Sequence, residues 1–357
     1  MILTFKIKHD RDFSLELRKA KQVAEFALSH KTRSSKDVKQ FGLKSAIANQ
    51  ILRKYGNNKT IENVNRIKLT VPSQSIDIDR DKRKIMIQCL NFKIPYHFRN
   101  DYEKINQVEL DNEYAYVSVN IKEAQQIVPK GWIGVDLNTT GHVAVVGNPN
   151  TGKVVKLGKE ALHIHTKYKN IRKDMQKKGK YRVVKAIRDR ESRIIEDINH
   201  NIAKKIVETA KENNAGIKFE KLEGIRDNRN HRRSFNYSLH SWSFYQLQRF
   251  TEYEARLCGI PLTYVEPEYT SQDCSRCGSR GIRDSKKFVC QSSLEIIQGV
   301  IFQLGCEHVD HADANASFNI AQRPPIQENW MGEGRSQLHT DRDVCKGSTD
   351  TPQGATL

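Results

Sequence analysis

The stretch Tyr269–Arg323 brings two kinds of chemistry-bearing residue close together in the chain. Cys274-x2-Cys277-Gly278 has knuckle spacing: such a turn presents two thiolates to one zinc ion, and a tetrahedral site then needs a second pair from elsewhere. One pair taken alone fits buried thiols equally well. Cys290 and Cys306 follow within the same stretch. Next comes His311-Ala-Asp-Ala-Asn-Ala-Ser-Phe-Asn-Ile-Ala321, a run of small residues and helix formers that would project Asp313 from the first turn of a closely packed helix. A lone Asp at that position ordinarily serves the helix dipole. It becomes a metal ligand only where other carboxylates converge on it.

Two other acids sit where convergence is possible. Trp132-Ile-Gly-Val-Asp136 and Ala215-Gly-Ile-Lys-Phe-Glu220 are short apolar strands, each ending in a carboxylate. Between them, 141–146 and 154–157 read as strands. Residues 165–213 read as a very basic helical region that includes Lys167, Arg172, Lys173, Lys180 and Arg190. After Glu220, Ser238–Cys258 reads as an aromatic-rich helix and Pro261–Val265 as a last strand. Three strands, a helix, a strand, a helix, a strand and a closing helix is the order of an RNase H-like domain. A right-handed crossover would make the Glu220 strand the parallel neighbour of the Asp136 strand. Three carboxylates at adjacent strand ends could bind two divalent ions for phosphodiester cleavage.

Gly147-Asn-Pro-Asn-Thr-Gly-Lys153 has the spacing of a phosphate-binding loop, which would suit an ATPase. The next residue is Val154, where a magnesium-ligating Ser or Thr is needed, and a strand pattern follows in place of a helix. The stretch reads as a hairpin turn.

The first half carries no catalytic constellation. Residues 1–9 alternate like a strand, and 13–30 and 35–55 have helical apolar spacing. From Lys59 to Ile121 the period is two: Leu69 with Val71, Ile76 with Ile78, Ile85 with Ile87, Phe92 with Ile94, Val108 with Leu110, then Tyr114–Ile121. A small antiparallel barrel with a helical insert between its first and second strands accounts for this pattern.

Sixty Lys and Arg against 42 Asp and Glu give 357 residues a net charge of +18, which points to a polyanion partner, nucleic acid before an anionic membrane. No apolar run reaches the eighteen residues of a membrane span, and the start lacks the apolar core of a signal peptide. Four of the seven cysteines lie between 274 and 306, the pattern of a metal site in a reducing compartment.

Ile133-Gly-Val-Asp-Leu-Asn, Ile217-Lys-Phe-Glu-Lys-Leu, Tyr269-Thr-Ser-Gln-Asp-Cys-Ser-Arg-Cys-Gly and the Asp313 helix, together with Trp242-Ser-Phe-Tyr-Gln-Leu and Gly259-Ile-Pro-Leu, resemble the split RuvC motifs and zinc ribbon of the TnpB (OrfB) family. These are transposon-encoded RNA-guided DNA endonucleases related to compact type V CRISPR effectors. The resemblance covers about 129–325. It implies Asp136, Glu220 and Asp313 as catalytic ligands of Mg2+ (or Mn2+), and Cys274, Cys277, Cys290 and Cys306 as ligands of Zn2+. The family usually has a second Cys-x2-Cys pair. Here Gln291–Gly305 separates Cys290 from Cys306, while the spacing from Cys306 to Asp313 matches the family. Cys306 is therefore kept as the fourth ligand, with His308 and His311 as alternatives.

The expected fold class is α+β and multidomain: a β-barrel with a helical insert, then an RNase H-like (RuvC) α/β domain with an inserted zinc ribbon. In order, the expected parts are the first barrel strand (1–11), a helical recognition insert (12–56), a wedge-type barrel (57–128), the nuclease domain (129–268), the ribbon (269–310), the closing helix (311–325) and a disordered tail (326–357). The resemblance implies a guide noncoding RNA and a double-stranded DNA target cut beside a short flanking motif. It also implies a cytoplasmic, prokaryotic setting at the nucleoid. Two alternatives are a nuclease-inactive guided DNA-binding protein and a DNA-strand transferase. Three intact acids count against the first, and the ribbon set just before the third acid counts against the second.

Overall fold

Alternation of apolar and polar residues in Ile2–Lys8 makes the edge strand β1, which pairs antiparallel with β7 (Tyr114–Ile121). A computed structural model describes residues 1–56, 58, 60–98, 101–222, 244–291, 293–297, 300–304 and 306–326. They fall into two compact units, one built on Met1–Lys122 and one on Glu123–Asn329.

In the first unit, β7 also pairs with β6 (Tyr102–Leu110), and β6 with β2 (Leu69–Pro72). The period-two pattern of β7 buries Ala115, Val117, Val119 and Ile121 on one face. A separate ladder joins β3 (Ile76–Asp79), β4 (Lys84–Ile87) and β5 (Phe92–Pro95). The strands expected in one barrel are thus hydrogen-bonded as a four-stranded and a three-stranded sheet. Between β1 and β2 lie the helices α1 (Ser14–His30) and α2 (Ser45–Tyr55). A single helix over 35–55 is not what forms. A 3-10 segment, Ser35–Phe41, is closed by Gly42 at φ 63°, the left-handed stop a glycine accepts freely, and α2 starts afresh at Ser45.

The second unit is built on a five-stranded sheet of order β10-β9-β8-β11-β12: β8 Gly131–Leu137, β9 Ala144–Asn148, β10 Lys153–Leu157, β11 Ala215–Glu220 and β12 Leu262–Val265. β11 is parallel to both neighbours, and the β8–β9–β10 pairs are antiparallel. The Gly147–Lys153 stretch forms the β9–β10 turn, with Gly152 at φ 68°. The basic region resolves into α3 (Lys159–Lys177) and α4 (Tyr181–Glu212), broken at Gly179 (φ 66°). The aromatic-rich helix is described from Phe244 to Cys258 and is here α5; its expected start, from Ser238, lies outside the described residues, as does the expected tail beyond Ile326.

Odd residues of the central strands, Ile133, Val135, Ile217 and Phe219, form one core with Ile202 and Ile206 of α4 and Leu247 of α5. Each such burial contributes about 1.5–3 kcal/mol. The even face receives the closing helix α6 (Ala312–Gln322). Gly134 and Gly147 are direct partners across β8 and β9, and both lie under it. A Cβ on Gly134 would stand 2.0 Å from the Ser317 carbonyl oxygen, and one on Gly147 would stand 2.2 Å from Ser317 Oγ. Glycine on the sheet and Ala314, Ser317 and Ala321 on the helix therefore set a short sheet-to-helix distance. Between β12 and α6 run β13 (Gly281–Asp284), β14 (Lys287–Cys290), the hairpin β15 (Ser293–Ile297) and β16 (Val300–Leu304), and β17 (Val309–His311). β13, β14 and β17 form one small antiparallel sheet. No described helix is long and apolar enough to cross a membrane.

Candidate metal centres

Asp136 and Glu220 occupy the register step after the parallel pair Val135 and Phe219, on neighbouring strands about 4.8 Å apart. Both belong to the even set that faces α6. Asp136 is only 8% exposed. Burial pushes its carboxyl from 3.8 up to about 7, and the charges of Glu220 and Asp313 add to the rise, while Asn138 donating to Oδ2 at 2.8 Å opposes it. Burial also raises Glu220, countered by the Thr270 hydroxyl donating to Oε1 and by the charges of Arg323 and Arg283. Asp313, 2% exposed, comes from the first turn of α6. Its N–H is capped by His311 Nδ1 at 3.3 Å, and its carboxylate accepts from Arg283 Nη2 at 3.1 Å and Lys286 Nζ at 2.6 Å. The three acids named from the sequence thus meet at one face of the sheet. Together they carry more negative charge than that buried face holds comfortably without cations.

The closing helix is fixed by a residue that sequence reasoning passed over. Lys218 lies inside an apolar strand, is 4% exposed and donates to the Ala321 carbonyl at 2.9 Å and to the Arg323 carbonyl. It thereby caps the C-terminus of α6 with a cation, the sign that the helix dipole favours. A lysine in the middle of Ala-Gly-Ile-Lys-Phe-Glu was the visible signal.

Cys274, Cys277, Cys290 and Cys306 put their sulfurs within 4.8 Å of one another, with Cys274–Cys306 at 3.4 Å and Cys277–Cys290 at 3.5 Å. A tetrahedron of sulfurs about 2.3 Å from zinc has edges of about 3.8 Å, so the group fits that ion. The N–H and hydroxyl of Ser279 hold the Cys277 thiol down to about 6. Burial and the Cys277 sulfur push Cys290 up to about 12. One thiolate among reluctant neighbours is what four close sulfurs give until a cation lets all ionise. His308 is buried with Nε2 3.6 Å from Asp310 Oδ2, and His311 caps α6; neither joins the sulfur group. The fifteen residues between Cys290 and Cys306 are accommodated by the β15–β16 hairpin.

The two centres share a framework. Asn315 of α6 donates to the Asp273 carbonyl at 2.7 Å and accepts the Ser275 N–H at 2.9 Å. Asn319 donates to the carbonyls of Thr270 and Asp273 at 2.7 Å each. The helix that carries Asp313 therefore grips the turn that carries Cys274, and Thr270 of that turn reaches Glu220. Thr270, Arg283, Lys286, Asn315 and Asn319 were not singled out from the sequence; the four-residue spacing of the two asparagines along one helix face was the available signal.

The fold is similar to that of a protein chain in a solved Cas12f1–sgRNA–target DNA complex: the match has a TM-score of 0.55 at 14% identity and covers 87% of this chain and 82% of the other. A family model for the TNB domain of Cas12f1-like proteins matches residues 244–320, from α5 through the cysteine group into α6. The chain is 27% identical over 204 residues to the CRISPR-associated endodeoxyribonuclease Cas12f1 of Sulfoacidibacillus thermotolerans, a match that covers 53% of this chain and 44% of that longer protein. It is 27% identical over 285 residues to a TnpB-like protein of Methanocaldococcus jannaschii, covering 76% of this chain and 94% of the relative. The resemblance to the TnpB family, related to the type V effectors, is borne out by these relatives.

Proposed function

We propose that this chain is an RNA-guided, divalent-metal-dependent DNA endonuclease of a transposable element, with an RNase H-like (RuvC) centre at Asp136, Glu220 and Asp313. The observation that carries the reading is the meeting of these carboxylates, from two parallel strands and a closing helix, at one buried face where Asp136 is raised to about 7. Mg2+ or Mn2+ held there would activate a water and stabilise the leaving oxygen of a phosphodiester. The chain's own residues set the stage. Asn138 orients Asp136, Thr270 orients Glu220, and the His311 cap fixes the turn that bears Asp313. Arg283 and Lys286 bring positive charge to where a phosphate would arrive. Zn2+ on Cys274, Cys277, Cys290 and Cys306 would be structural, holding the turn that α6 grips.

The Met1–Lys122 unit, read as a wedge-type barrel with a helical recognition insert, would hold a guide noncoding RNA and read a short motif beside a double-stranded DNA target. Support comes from the net charge of +18 and from relatives whose names describe an endodeoxyribonuclease and a complex with sgRNA and target DNA. The test is to sequence the RNA that copurifies with the protein and offer duplex DNA matching its guide segment. Cleavage should need magnesium and be lost in Asp136→Ala, Glu220→Ala and Asp313→Ala, with binding retained. Equal cutting by the triple variant, or by RNase-treated protein at the same sites, would sink the reading.

A further inference from the structure

The sheet carries a charged row that the three carboxylates do not account for. Asp136 of β8 is the direct partner of Val145 of β9, and Val145 is the direct partner of Lys156 of β10. Direct partners in a ladder point to the same face. Lys156 therefore stands on the face of Asp136 and Glu220, two strands, or about 10 Å, from the first and three strands from the second. Two residues on, Gly158 turns the chain at φ 76° into α3, which begins at Lys159. A Cβ on Gly158 would meet Ile202 and Val143 within 2.9 Å, so this turn is tightly packed and holds one conformation. Glu191 of α4, bonded to His165 at 2.9 Å and to Arg172, pins α3 behind it. Lys156 and Lys159 are exposed, and among the described residues neither makes an ion pair.

Lys286 and His142 lie between this edge and the acids. Lys286 joins Asp313 at 2.6 Å to the Thr140 carbonyl at 3.3 Å in the β8–β9 loop. His142, in the same loop, lies within the electrostatic reach of Lys156, Lys159, Lys286 and Asp313; burial and the three lysines lower its pKa, and Asp313 opposes them. Lysines held on a rigid turn, unpaired, and on the face of the carboxylate cluster beyond the buried Val145, are placed for an extended anion that runs from the sheet edge toward the acids. A nucleic-acid strand is such an anion, because its phosphates repeat along the backbone.

We infer that Lys156 and Lys159 form a phosphate subsite that seats the DNA strand next to the scissile position and delivers it along the β10 edge to Asp136, Glu220 and Asp313. The inference rests on the nuclease reading for what is cut, and on the register row for where the strand lies. Lys156 and Lys159 are positioning residues, acting on a phosphate that does not react.

The test uses the full chain as purified with its RNA, in three variants: Lys156→Ala with Lys159→Ala, Lys156→Arg with Lys159→Arg, and Lys153→Ala as a control on the opposite face of β10. Cleavage of duplex DNA matching the guide should show KM raised about tenfold in the double alanine variant, with kcat within about twofold and the arginine variant restored. Binding of a twenty-thymidine oligonucleotide without added magnesium should lose about 1.4 from the slope of log affinity against log salt, two contacts at roughly 0.7 each. An unchanged KM and slope, or a fall in kcat alone, would overturn the subsite. So would Lys153→Ala behaving like the double variant. If wild type binds the oligonucleotide with the steeper slope yet cuts no matched duplex, the nuclease reading fails and the subsite stands.

Discussion

Replacing Asp136 by Asn should stabilise the protein while abolishing cleavage, and the size of the gain follows from the site. In the fold the Asp136 carboxyl is raised from 3.8 to about 7, chiefly by burial. A raised carboxylate favours the fold fully at low pH and loses that contribution as pH climbs from about 4 through 7. Above pH 7 the buried charge costs the fold about three units, or about 4 kcal/mol at 1.36 kcal/mol per unit. Part of that is repulsion shared with Glu220 and Asp313, so the net gain for a neutral, isosteric Asn is roughly 2–4 kcal/mol. For a unit of some two hundred residues this is a rise in Tm on the order of 5–10 °C at pH 8. Near pH 5 the folded group holds its proton while the unfolded carboxyl has already lost its own, so the difference should fall to less than half its pH 8 value, and it should vanish only below about pH 4. Thermal unfolding of zinc-loaded protein, without added magnesium or manganese, at the two pH values is the assay. Adding magnesium should raise the wild-type Tm at pH 8 and leave the Asn variant almost unmoved, because only the first keeps its full ligand set. An Asn variant less stable than wild type at pH 8, or a gain independent of pH, would refute the account of Asp136 as a buried charge awaiting a cation.

Metal analysis should find one zinc per chain, lost in Cys274→Ser and Cys306→Ser together with much of the local fold, and kept in His308→Ala and His311→Ala. Zinc lost in a histidine variant and retained in Cys306→Ser would move the fourth ligand. Gly134→Ala should cost about 3 kcal/mol or more, since its Cβ meets backbone of α6 at 2.0 and 2.5 Å. Gly152→Ala, with open space but φ 68°, should cost only about 1–2 kcal/mol; chemical unfolding that ranks them the other way would contradict the tight seat of α6.

The acids were legible because each ends or opens an element whose pattern is strong. Asp136 follows an apolar run, Glu220 follows one broken only by Lys218, and Asp313 sits in a run of small residues that suits a tightly seated helix. The break of 35–55 at Gly42 was hidden because apolar spacing resumes in phase on both sides of a single glycine. Arg283 and Lys286 read as ordinary hairpin charges. Their meeting with Asp313 depends on β14 pairing with β17, which sets Lys287 opposite His311, a long-range register that no local pattern encodes.

The insertion between Cys290 and Cys306 makes the same point about distance in sequence and distance in space. Counted along the chain, fifteen residues separate two candidate ligands, Cys290 and Cys306, that a knuckle would hold three positions apart. In the fold, Ser293 is paired with Leu304 at the base of the β15–β16 hairpin, so the added chain leaves and returns at nearly the same place. Just beyond it, the Cys290 N–H donates to the His308 carbonyl at 2.8 Å. The ladder β14–β17 and this bond restore the geometry that a short turn would have given, and the cost of a longer closed loop grows only slowly with its length. Ligand spacing in sequence is therefore a useful sign of such a site but not a necessary one. The seven-residue interval from Cys306 to Asp313 stays short because β17 and the first turn of α6 must join the sulfur group directly to the carboxylates.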